Sequence, residues 1–188
     1  MRHLPSLTLL FPPAQRRLCW AAAVLSLLAA LSWPVLALAA MAPMDPALLL
    51  QRAGITAATS APWGSPQFAS WQQAATLAVL MLPALTSSAA LLCLARGFRA
   101  LARGRLQRAH WALSRFALWT LASVAISVLA GTAAGVLLTW NLGPGLRQLS
   151  FGLSSSHLHG LLTAALVWAF AHVLLRTREL SEENAQFV

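Results

Sequence analysis

Four apolar runs without a single Asp, Glu, Lys or Arg, at 18–40, 71–95, 116–140 and 157–175, constrain this chain more than any other feature. A hydrocarbon core about 30 Å thick needs roughly 20 residues at a rise of ~1.5 Å each. The first three runs exceed that length and the fourth nearly reaches it. Backbone polar groups in lipid must pair inside their own segment, so each run predicts a helix. The chain is therefore expected to be all-α: a single membrane domain over 1–188, an integral four-helix bundle with both termini cytoplasmic. Composition agrees, since 59% of residues are hydrophobic and 9% charged, against about 25% charged in soluble domains. Trp20, Trp71, Trp119 and Trp140 fall near the predicted span ends, where the headgroup belts hold tryptophan.

The "ALAA" at 37–40 resembles a signal-peptidase site. A secretory apolar core is only about 7–15 residues long, however, so the first run reads as a retained anchor. Cys19 and Cys93 do not form a C-x-x-C pair and read as small hydrophobes. Thirteen arginines and no lysine, set in an Ala- and Leu-rich chain, suggest a GC-rich bacterial genome and hence a bacterial inner membrane.

Arginine placement sets direction. Arg2, Arg16 and Arg17 precede the first span, six arginines separate spans two and three, and Arg176 and Arg178 follow the fourth; only Arg52 and Arg147 lie on the other side. By the positive-inside rule the arginine-rich loop 96–115 is cytoplasmic and the connections 41–70 and 141–156 are periplasmic. Within 41–70, Asp45 and Pro46 read as an N-cap and first helical residue, with Gly54 as the stop, predicting a short helix over 46–53.

Motifs are few. Ser123, Ser127, Gly131 and Gly135 recur every four residues on span three, a row of small residues that lets another helix approach closely. Packing within the bundle is the expected use of this seam, and a homo-oligomer its competitor. Pro34 and Pro83 lie inside spans, with Thr86 and Ser87 near enough to help satisfy freed carbonyls. Membrane haem needs facing histidines, and spans one to three contain none. His157 and His159 have no carboxylate or thiolate near them in sequence, so no metal site and no cofactor is expected. The absence of ionisable groups in the spans argues against ion-coupled transport. No catalytic glycine, serine or histidine signature occurs, so no enzyme is expected.

The arginines carry the functional expectation. If span two continues as a helix, Arg96, Arg99 and Arg103 share one face and Leu94, Phe98 and Leu101 the opposite one. Gly104 then allows a turn, and a second helical stretch carries Arg105, Arg108 and Arg115 into span three. Such an amphipathic extension suits the cytoplasmic leaflet, where each basic residue gains about 1 kcal/mol from anionic lipid. A stripe this close to the bilayer leaves no room for a nucleic-acid duplex. Glu179, Glu182 and Glu183 in the terminal segment are expected to pair with the arginines, for ~0–1 kcal/mol each.

A span running into "LARGFRALARGRLQRAHWALSRFALW", two further spans and a final "LLRTRELSEENAQFV" together resemble the bacterial membrane proteins grouped as domain of unknown function 2975. The resemblance covers most of the chain. It departs at Leu106, where the family has an aromatic shortly after the glycine. It implies a fold and topology but no reaction, and an association with small helix-turn-helix regulators, hence a cytoplasmic docking face. The expected function is a regulatory or structural membrane module whose basic face, Arg96, Arg99, Arg103, Arg105, Arg108 and Arg115, contacts anionic lipid or a cytoplasmic regulatory protein. The competing expectation is a passive permease or a small-molecule- or lipid-binding bundle with a cavity near Pro83 and span three. Orientation is directly testable. A reporter that fluoresces only in the cytoplasm should be active when fused after Val188, and a phosphatase active only outside should be silent there; the reverse pattern would invert the topology.

Overall fold

The computed structural model describes residues 12–41, 68–140 and 152–184, and within the last stretch the side chains of 178, 179 and 181–184 fall outside the description. The helix expected at 46–53 lies outside the described residues. Among the described residues there are four helices and no strand: α1 (Pro13–Met41), α2 (Ser70–Ala102), α3 (Leu106–Thr139) and α4 (Ser155–Asn184). The protein is an all-α four-helix bundle. All four helices are long and apolar enough to cross a membrane, α4 through its Ser155–Thr177 portion, which supports a multi-pass membrane protein.

The connection assigned to 96–115 is helical on both sides of its turn, as the continuation of span two and the break at Gly104 anticipate, and is not an open loop. Only Arg103, Gly104 and Arg105 separate α2 from α3. Gly104 adopts φ 67°, the left-handed conformation that spares glycine a Cβ clash. The Gly104 N–H donates to the Leu101 carbonyl at 2.9 Å and the Arg105 N–H to the Ala100 carbonyl at 2.9 Å. Together these bonds form a Schellman stop for α2. At 33 residues α2 is about 50 Å long, well beyond a ~30 Å core. The surplus turns carry the arginines. Nor does this extension bury its apolar face in lipid. Ala100, Leu101 and Ala109 form a cluster there, covered by Phe98, Leu106, Cys19 of α1 and Leu174 of α4. Protein takes the place expected for the bilayer surface because the tight turn returns α3 directly onto α2.

Packing runs in chain order: α1 on α2, α2 on α3, α3 on α4. α1 and α4 therefore converge near the Ala100–Leu101–Ala109 cluster but do not close the bundle along its length. Each outer helix buries one narrow stripe. In α1 the buried residues are Ala23, Ser26, Ala30 and Met41. In α4, His157, Gly160, Ala164, Val167, Ala171 and Leu174 are buried or half-buried, a three–four spacing characteristic of left-handed helix pairs. The buried set is dominated by alanine, while Leu25, Leu28, Leu36, Leu129, Leu162 and Leu166 face outward. This inverts the pattern of a soluble domain. It suits lipid, where close backbone approach and dispersion hold helices together.

The expected seam of Ser123, Ser127, Gly131 and Gly135 does not act as one row. Ser123 meets α2, Ser127 meets α4, Gly135 is buried, and a Cβ on Gly131 would meet nothing within 4 Å. The cause is axial register. His157, two residues into α4, sits opposite Ser127, so α4 begins roughly 10 residues short of the end of α3, about 15 Å. No described residue of α4 reaches Gly131. The close approach falls instead on Gly160, where an added Cβ would lie 2.7 Å from Val124 Cγ2, and on Gly97, where it would lie 3.0 Å from Leu113 Cδ2. Val124 is β-branched and stiff, so it yields poorly. Gly160→Ala should therefore lower the thermal midpoint in detergent, by an overpacking cost of about 1–3 kcal/mol. Adding Val124→Ala should recover most of that loss, and Gly131→Ala should leave the midpoint unchanged or raised. A Gly131→Ala loss equal to that of Gly160→Ala would contradict the register.

Candidate functional site

The hairpin turn brings all six arginines into one groove. Arg96, Arg99 and Arg103 form a ridge on α2; Arg105, Arg108 and Arg115 form its counterpart leading into and along α3. Cys93, Ala100 and Ala112 lie between them, with Gln107 and Trp111 completing a cavity of about 620 Å³. Every one of the six guanidinium-bearing residues is exposed. The sequence contains no Asp or Glu between Asp45 and Glu179, so neither α2 nor α3 offers a carboxylate. The side chains of Glu179, Glu182 and Glu183, expected to pair here, lie outside the described residues.

Neighbouring groups hold the ridges in place. The Trp20 ring of α1 lies 5.8 Å from Arg99 Cζ and 5.5 Å from Arg103 Cζ, so one indole orients two guanidinium groups. Trp111 does the same for Arg115 at 5.9 Å. Such contacts are worth about 0.5–1 kcal/mol each at exposed sites. Arg16 Nε donates to the Ala102 carbonyl at 3.2 Å, satisfying a carbonyl in the last turn of α2. The arrangement can clasp a planar or tetrahedral oxyanion between two rows of donors, the geometry for which arginine is suited.

A second cavity of about 580 Å³ lies between α1 and α4, with α2 and α3 as its floor. Pro83, Ser87, Ser123, Ser127 and His157 line it, together with Trp33. Ser123 Oγ donates to the Pro83 carbonyl at 3.2 Å and lies 2.8 Å from Ser87 Oγ. Thr86, expected to help at the proline, bonds the Leu82 and Pro83 carbonyls at 3.0 Å each, while Ser87 turns across to α3 instead.

Comparison with family models, curated proteins and solved structures returns no match to this chain.

Sequence reasoning overlooked His110, which lies inside the arginine segment and outside any predicted span. Its Nδ1 donates to the Ala171 carbonyl at 2.8 Å, and its ring meets His172 edge-on at 5.5 Å. It therefore ties α3 to α4 just behind the arginine groove. Spacing alone gave no hint, because the pairing depends on the α3–α4 register. Trp20 was legible only as a headgroup-belt residue. His110→Phe should cost about 1 kcal/mol, one net hydrogen bond, read as a lower thermal midpoint. His159→Ala should have no effect, since His159 Nδ1 bonds the Ser155 carbonyl of its own exposed turn. Equal effects from the two would remove His110 as a tie.

Proposed function

We propose that this chain is a multi-pass inner-membrane module, a binding and scaffolding element rather than an enzyme, whose arginine groove holds the phosphate of an anionic lipid on the cytoplasmic face. The observation that carries the reading is the convergence of six arginines on one groove, in a part of the chain without carboxylates. The groove adjoins the ends of two long apolar helices, so a lipid phosphate and the arginines share one depth. The positive-inside distribution supports a cytoplasmic position for this end. The resemblance to domain of unknown function 2975 supports the same topology and adds a regulatory protein as a further occupant of this face.

Phosphate contact here has a definite magnitude. Each basic residue near an anionic surface contributes about 1 kcal/mol. The triple variant Arg99→Gln, Arg103→Gln, Arg108→Gln should thus weaken retention of phosphatidylglycerol by roughly 100-fold. Native mass spectrometry of the detergent-purified protein, titrated with phosphatidylglycerol and with phosphatidylcholine, measures this. Wild-type protein should prefer the anionic lipid, with the preference shrinking as salt rises. An equal preference in the triple variant would defeat the proposal.

A further inference from the structure

The cavity between α1 and α4 differs in chemistry from the arginine groove. It is lined by residues of all four helices, none of them Asp, Glu, Lys or Arg. Its volume of about 580 Å³ falls within the ~300–1,000 Å³ usual for small-molecule sites. Three of its serines behave unlike most hydroxyls of the bundle. Ser26, Ser88, Thr120, Thr132 and Thr139 each return their hydroxyl to the carbonyl four residues back. Ser87, Ser123 and Ser127 bond across helices instead.

The protons can be followed one by one. Ser123 donates to the Pro83 carbonyl, so Ser87 donates to Ser123. Thr120, also on the wall, donates to the Phe116 carbonyl. The Ser154 N–H donates to His157 Nδ1 at 3.0 Å, so Nδ1 presents its lone pair and the ring proton resides on Nε2. His157 Nε2–H then donates to Ser127 Oγ at 3.1 Å, making Ser127 the acceptor of that bond. Ser87, Ser123 and Thr120 have committed their protons. Ser127 keeps an O–H to give, in apolar surroundings where an unmade bond costs about 1–3 kcal/mol.

We propose that this cavity binds one membrane amphiphile without net charge, whose neutral carbonyl oxygen accepts a hydrogen bond from Ser127, its hydrocarbon lying against Trp33, Leu80, Leu91 and Phe116. A donor left over among neutral walls selects an acceptor without charge, and a carbonyl is the acceptor that membrane-soluble molecules carry. Two sources supply it: the ester of a phospholipid acyl chain, or the ring carbonyl of an isoprenoid quinone. His157 acts through Ser127 as a positioning residue, because its Nε2–H occupies one lone pair of Ser127 and directs the hydroxyl proton elsewhere. This site does not depend on the arginine groove.

The test titrates full-length detergent-purified protein with dioleoylphosphatidylcholine and, separately, with decylubiquinone, reading bound probe by native mass spectrometry. The expected result is one saturable site for at least one probe, and the probe that saturates identifies the source. Ser127→Ala should weaken binding about 2- to 10-fold, the range one net hydrogen bond supplies. Ser127→Thr should keep it, and Ser127→Leu, which removes the donor and projects an isobutyl group into the cavity, should weaken it more than Ser127→Ala does. The triple arginine variant should bind as wild type does, which separates this site from the phosphate groove. The Ala and Thr variants carry the test by themselves, since neither adds more than a methyl group, and a thermal melt confirms that each is folded. Absence of saturable binding of both probes to wild-type protein would overturn the proposal, as would an unchanged affinity in Ser127→Ala.

Discussion

The close approach of α2 and α3 is the contact on which the rest of the bundle is built. Among lipid chains no hydrophobic force drives two apolar helices together, so their association rests on dispersion at short range and on polar ties. The residues between them are small enough for the first: Ala84, Ala90, Ala100, Ala109, Ala130 and Ala134 are all buried. The second comes at three levels. Buried Gln72 accepts from the Ala69 N–H and donates to the Leu137 carbonyl, joining the first turn of α2 to the last of α3. Ser87 and Ser123 meet near the middle. The Schellman stop at Gly104 closes the other end. A hairpin pinned at both ends and its centre has its register set, and α1 and α4 then pack on fixed surfaces.

The outer helices are placed by this hairpin, and their incomplete contact with one another makes the cavities. α1 and α4 each bury a single stripe against the hairpin and leave their remaining apolar side chains facing outward. Near the arginine end Cys19 and Leu174 both reach the Ala100–Leu101–Ala109 cluster. Farther along, α4 starts short of the end of α3, and the space between α1 and α4 becomes the neutral cavity. The two candidate sites thus follow from one geometry: a hairpin tip that projects its arginines, and a flank that the outer helices leave open.

The four helices, though not their full lengths, could be read from charge-free apolar runs because length and polarity are what a membrane span demands. The shared face of Arg96, Arg99 and Arg103, and the turn at Gly104, were equally legible, since a 3.6-residue period reports which side chains share a face. Axial register was not. Periodicity says where a side chain points around a helix but nothing of what lies opposite along it. This is why Gly131 looked like a contact and Gly160 did not, and why His110 was passed over although it faces Ala171 and His172. The grouping of all six arginines on one face was legible with that turn, whereas the groove between the two ridges depends on the three-residue tightness that the Schellman bonds give it.

The two ridges of the arginine groove do not stand in equivalent fields. Arg99 and Arg103 close the last turn of α2, where the carbonyl end of the helix dipole favours cations. Arg105 and Arg108 open α3, where the dipole is positive and adds to their charge instead of offsetting it. No acidic residue occurs in that first turn, and Arg105 at the cap position supplies no side-chain acceptor. Helix starts usually recruit Ser, Thr, Asp or Asn to accept the first free N–H groups. Here arginine occupies the cap, so the local cap, the dipole and the side chains all leave positive potential unsatisfied at one place. An oxyanion between the ridges would accept from the guanidinium groups and relieve repulsion that the Trp20 stack can orient but not neutralise. The arginine segment is therefore electrostatically incomplete, and an oxyanion held between its ridges would complete it.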